Sequence, residues 1–147
     1  MGGNDSTFEK VSVGANFSLK LLAQLTEAAA KAGQRMSFSI VDESGANKAS
    51  LRMDGASFTS AFVAADKAYT AASGRPTHLW HDTLAEDEVL GGGARSAIPR
   101  LTTLGGGYPI VLEGRLVGGV GVSGGHYTDD MAVAVAALVQ AGAKHEW

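Results

Sequence analysis

The sequence predicts an α+β domain: an antiparallel sheet built from two hairpins, with helices packed on it. Three observations carry that expectation. Two pairs of alternating apolar stretches are each joined by a short turn, several segments repeat apolar residues at helical spacing, and the order runs helix, hairpin, helix, irregular segment, hairpin, helix. Adjacent strands joined by tight turns pair antiparallel, and a sheet with an apolar face needs helices to cover it. The 147 residues fit one domain, able to bury roughly two thirds of the surface that its unfolded chain exposes. Residues 1–147 are therefore read as a single domain, with 1–15 a partly disordered N-terminal extension.

From Ser18 to Ala32 the positions Leu21, Leu22, Leu25, Ala28, Ala29 and Ala32 recur at three and four, and Gly33 stands where a helix ends left-handed. "MSFSIVD" then alternates Met36, Phe38 and Ile40 against serines, and "KASLRMD" alternates Ala49, Leu51 and Met53 against Lys48, Ser50 and Arg52. Gly45 and Asn47 lie in the turn between them, which makes the first hairpin. Helical spacing returns over 56–73 through Phe58, Phe62, Ala65, Tyr69 and Ala72, with Asp66 and Lys67 off that stripe. The segment 74–107 is too long for a plain loop, so a short helix is expected from just after Thr77, its cap, to the Glu86–Leu90 region.

"YPIVL" and "RLVGGVGV" flank Glu113-Gly114 and form the second hairpin. In its last strand Leu116, Val120 and Val122 share one face with Gly118, while Val117, Gly119 and Gly121 share the other. Glycine weakens a strand, so this run marks a close approach, by a packed helix first and by a subunit or flat ligand second. Thr128 is placed to cap a final helix, with Asp129 and Asp130 complementing its dipole. That helix, "MAVAVAALVQAGA", is apolar almost all round, and in so short a chain this favours burial by another copy. A homo-oligomer is expected.

Composition removes several function classes. With 12 Lys plus Arg against 15 Asp plus Glu the net charge is −3, and no basic stripe exists to neutralise phosphates, so nucleic acid is not an expected partner. The chain has no cysteine, which excludes disulfides, thiolate metal sites and a thiol nucleophile. No apolar run reaches the ~18 residues that span a bilayer, and no secretory signal pattern opens the chain, so the expected setting is cytoplasmic with no membrane partner. Met1, Gly2 and Ser6 fit an acylation pattern, but a polar, Gly-rich start reads rather as an extension. Neither glycine-rich stretch fits a phosphate loop or a dinucleotide fingerprint.

"IVDESGANKASLRMDGASFTSAFVAADKAYTAA" and "LGGGYPIVLEGRLVGGVGVSGGHYTDDMAVAVAAL" resemble the two halves of the GlcG/HbpS-like family, the haem-degrading family shared with the C-terminal domain of PduO proteins. The "VDxxG", "RMDGA", "KAxTA", "GGxPI" and "GxVGVSGG" elements stand in the family's order, and the resemblance covers about residues 18 to 142. It implies a compact, profilin-like sheet-and-helix domain, assembly as a homo-oligomer, and binding of haem or a related tetrapyrrole. Relatives share no universal iron ligand, so none is carried over to a position here. The segment "RPTHLWHDTLAEDEVLGGGARSAIPRLTTLGGG" departs from the bland connection expected before "GGxPI".

That departing segment concentrates His78, Trp80, His81 and several carboxylates. On a helix His78 and His81, three apart, face the same way. One of them is a candidate iron ligand, with Trp80 or Tyr108 as a flat wall and Arg52, Lys67, Arg95 or Arg100 as partners for propionates. Gly119 and Gly121 would be the floor under a flat ligand. A metal reading recruits His78 and His81 with Asp82 or His126, but it lacks the Glu of H-E-x-x-H, and no metal site is assigned. The alternative function is a cofactor-independent isomerase, lyase or hydrolase acting on a small anionic catabolic intermediate. There His78, His81 or His126 moves a proton while Arg100 or Arg52 clamps the substrate. Backbone N–H groups of Gly105–Gly107 and of "SGGH" at 123–126 could receive its charge. The structural alternative pairs Lys67 with Asp66 and Arg52 with Asp54, favoured over a site role for Lys67 and left level with one for Arg52, and His145 is expected to be inert.

Overall fold

The computed structural model describes residues 5–147; Met1 and Gly2 of the acylation pattern lie outside the described residues. Along the chain come α1 (Ala15–Lys31), β1 (Ser37–Asp42), β2 (Asn47–Arg52), α2 (Phe58–Ala71), α3 (Thr77–Glu86), α4 (Glu88–Ala97), β3 (Gly107–Leu112), β4 (Arg115–Ser123) and α5 (Tyr127–Ala141). The class is α+β, with one four-stranded antiparallel sheet in the order β2-β1-β4-β3. Both expected hairpins form. In the second, Glu113 and Gly114 take φ of 52° and 74°, the paired positive values of the turn whose twist matches two-residue hairpins.

Each sheet face is covered differently. On one side Leu21, Leu25, Phe38, Ile40, Val120, Val122, Val133 and Leu138 make the main core between the sheet, α1 and α5. On the other side α2 lies directly on β1 and β4, and there bulk is excluded. A side chain at Gly119 would meet the backbone of Ala68 and Ala72, and one at Gly121 would meet Ala64 and Ala68. The close approach predicted by the strand glycines is therefore that of a helix, which fills the space a ligand over Gly119 and Gly121 would need. The serines of β1 are buried here too, with the Ser37 and Ser60 hydroxyls 2.7 Å apart.

This packing reverses the expected face of α2. Phe58 and Phe62 are 72% and 69% exposed, while Ser60, Ala64, Lys67, Ala68 and Ala71 point inward. Only small side chains, or one whose charge is satisfied, fit a helix pressed onto glycines. Three other boundaries differ. A register shift opposite Ile110 and Val111 places Val117, not Leu116, with Val120 and Val122 in the core. The irregular segment holds two helices rather than one, broken at Asp87, whose carboxylate caps α4 by accepting from Leu90 N–H at 3.0 Å. α5 is capped by His126 rather than Thr128. Ahead of α1, Val13 is buried and its N–H donates to the Val117 carbonyl at 3.0 Å. No helix among the described residues is long and apolar enough to cross a membrane.

Candidate functional site

Thr77 sets the site. It is not the cap of α3, a place taken by Pro76; it is fully buried, and its hydroxyl accepts the Gly107 N–H at 2.9 Å. A side chain at Gly107 would strike Thr77 and the Lys67 backbone, so glycine permits the start of α3 to be clamped to the start of β3. One residue beyond each anchor stand His78 and Tyr108, with ring centroids 5.8 Å apart. His145 meets the same phenol edge-on at 5.5 Å.

These rings border a cleft of about 500 Å³, lined also by Arg75, Leu79, Glu146 and Trp147. That volume lies within the ordinary range of small-molecule sites. A second hollow of about 260 Å³ is lined by His78, His81, Thr103, Leu104, Gly105 and Tyr127. His78 is the residue common to both. Its Nδ1 is buried without a hydrogen-bond partner among the described residues, a state that costs free energy and is uncommon in packed interiors. Burial holds its pKa below the ordinary value, with Arg75 adding to that and Asp82 opposing it. The result is a neutral imidazole, the form that binds a metal or accepts a proton. Burial likewise pushes the Tyr108 phenol up.

Of the other sequence candidates, only some reach this place. His81 lines the second hollow as the three-residue spacing predicts, but it is exposed, with Asp82 3.3 Å from its Nδ1. Trp80 has a buried, unpartnered Nε1 yet borders neither cavity. His126 accepts the Thr128 N–H at 3.3 Å and lays its ring 4.2 Å from that of Tyr127, one residue removed from the hollow. Arg100 is used elsewhere: its Nε donates to Asp66 at 2.9 Å, and its guanidinium sits 4.5 Å over the Tyr69 ring. Arg52 lies on the edge strand β2, at the far side of the sheet from β3, and donates to the Ala56 carbonyl. Arg95 is exposed on α4 and lines neither cavity.

Lys67 pairs with Asp130 rather than Asp66. Its Nζ donates to Asp130 at 2.9 Å and to the Val122 carbonyl at 2.8 Å, all of it buried. It is therefore not free for a propionate. Two of the glycine N–H groups are taken as well, since Gly107 donates to Thr77 and Gly125 to Asp130. Among the described residues no three His, Asp or Glu side chains gather as a metal set. Arg75 and Trp147 are not among the sequence candidates, and His145, expected to be inert, lines the cleft with them. Arg75 opens the histidine-rich stretch and so carried a signal, whereas His145 and Trp147 are brought in only by the bridge between Lys144 and Val111.

Comparison with known proteins agrees with this architecture. The model of the family described as "Haem degrading protein HbpS-like" matches residues 15–139. An uncharacterized 15.0 kDa protein of Citrobacter freundii is 38% identical over 81% of this chain and 85% of its own length. Protein GlcG of Escherichia coli K12 is 34% identical over 78% of this chain and 83% of its own. The crystal structure of a PduOC:heme complex superposes with a TM-score of 0.80 at 29% identity, covering 93% of this chain and all of that one. The curated PduO corrinoid adenosyltransferase of Salmonella typhimurium is matched over only 36% of its length. By family match, sequence identity and fold together, this chain belongs to the GlcG/HbpS-like family.

Proposed function

We propose that this protein binds haem or a related tetrapyrrole in the cleft between α3 and the edge of β3, with His78 facing the metal. The observation that carries the reading is the His78 imidazole: neutral, bordering both cavities, with a buried Nδ1 that no described residue satisfies. Tyr108 supplies the flat wall, and Arg75, the cation of the cleft, donates through one nitrogen to the Leu79 carbonyl and the Thr83 hydroxyl and is the partner for a propionate through its remaining N–H groups. Membership of the HbpS-like family and the likeness to a haem-bound PduO domain support the same ligand class. Bound haem would bring an iron centre; the chain's own residues bind the macrocycle, orient it and shield one face from water.

Hemin added to the purified protein is expected to give a Soret shift that saturates at one equivalent, and hemin bound to His78→Ala is expected to lack the native band position. No saturable shift in the native protein would end this reading.

A second reading draws on the same cleft. A neutral His78 beside Arg75 is also a base next to an anion clamp, as a cofactor-independent isomerase, lyase or hydrolase would need for a small carboxylate. In that case a His78→Gln variant loses turnover without any haem present. We also propose self-association, supported by the exposed Phe58 and Phe62 of α2; sedimentation of Phe62→Ser at a lower mass than wild type would agree, and unchanged mass would not.

A further inference from the structure

The proposed site has one wall that its sequence motifs do not announce. Lys144 is paired in both directions with Val111, through N–H to carbonyl distances of 3.0 and 2.9 Å, so the residues after it leave β3 from a fixed point. His145 then meets Tyr108 edge-on at 5.5 Å, while His78 is tilted against the same phenol at 5.8 Å. Two imidazoles thus share one aromatic ring inside one cleft. Beyond them Trp147 lies on the backbone of Gly74. A Cβ at Gly74 would stand 2.6 Å from the indole, and its φ of +108° is one that side chains rarely adopt. Glycine there lets the edge of the indole approach the chain closely. Even so Trp147 remains 71% exposed. A large aromatic held by one side, open on the other and placed at a cleft mouth is a ready surface for a second ring system.

We propose that segment 144–147 is the second half of the ligand site, in which Trp147 stacks on the plane of a flat macrocycle and His145 presents a second imidazole to its metal. This inference rests on the tetrapyrrole reading above and goes beyond it by assigning two residues outside the histidine-rich stretch. Glu146, which also lines the cleft, repels carboxylates on that side, so a ligand's acidic groups point toward Arg75 instead.

The two roles separate with two probes, hemin and metal-free protoporphyrin IX. Trp147→Ala should weaken both about tenfold, and Trp147→Phe, which keeps a flat ring, should restore most of the affinity. His145→Ala should change the Soret position or spin-state bands of hemin and leave protoporphyrin IX affinity as in wild type. Equal melting temperatures for the three variants and wild type would show that folding is not the cause. If every variant binds both probes as wild type does while His78→Ala alters the hemin spectrum, segment 144–147 is not part of the site and the tetrapyrrole reading stands. Wild type that binds neither probe removes both. A loss of only one effect overturns the role given to that residue.

Discussion

Two titratable clusters stand close together in this fold and are treated in opposite ways. Lys67 and Asp130 are charged groups in a packed interior, and every strong bond they need is made within the chain: to each other, to the Val122 carbonyl and from the Gly125 N–H. A few residues away, beyond the Gly105–Gly107 run, His78 is half-buried beside two cavities with Nδ1 unpartnered. Burial moves the pKa of each group toward its neutral form. The difference is satisfaction. A cluster that closes its own hydrogen bonds ties elements together, here α2 to α5, and the one left open is where we propose a ligand binds.

The largest effect should come from breaking the closed cluster. Lys67→Met leaves the Asp130 carboxylate buried without its cation and is expected to cost about 3–5 kcal/mol of stability in urea unfolding. Pairing it with Asp130→Leu should recover much of the loss, since two apolar side chains need no partners. A single variant as stable as wild type would show that the pair holds nothing together. Next in size is Gly121→Ala, whose methyl would run into the Ala64 carbonyl oxygen; about 1–3 kcal/mol is expected from forcing α2 off the sheet. Hemin affinity of that variant should stay as in wild type. A selective loss of affinity would return Gly121 to the ligand floor.

The open cluster is sharpened by pH. The folded pKa of His78 lies below its ordinary value of 6.5, so below that value the unfolded chain binds a proton that the folded one resists. Stability from this residue is thus complete above pH 6.5 and declines as pH falls through the folded pKa. His78→Ala should flatten that part of the stability profile, and hemin affinity of the native protein should fall over the same window. A profile identical in the variant would detach the titration from His78. The smallest effects belong to the exposed histidines. His126→Ala loses a cap to α5, about 0.5 kcal/mol, and His81→Ala should change neither the melting temperature nor the hemin titration.

What could be read from the chain divides along physical lines. Local patterns gave α1, both hairpins and α5, because apolar spacing and turn chemistry are short-range signals. The face of α2 was misread since Phe58 and Phe62 outrank Ala64, Ala68 and Ala71 in hydrophobicity, yet only the small set fits against Gly119 and Gly121. α4 was not foreseen because Gly91–Gly93 lie in its middle, where glycine lowers helix propensity. His78 stood out in the sequence through its neighbours and spacing. Its cleft did not, since Tyr108, His145 and Trp147 arrive from thirty or more residues away, positioned by the Thr77 clamp on Gly107 and the Lys144 bridge to Val111. The Lys67–Asp130 pair, 63 residues apart, was beyond any local pattern for the same reason.

Whether the His78 imidazole is the group that meets a ligand's metal is decided by chemical rescue. Hemin bound to His78→Gly should lack the native Soret and visible bands, and millimolar free imidazole should restore them by entering the space the side chain vacated. A variant whose hemin spectrum already matches the native one, or one that imidazole leaves unchanged, would show that His78 does not meet the metal.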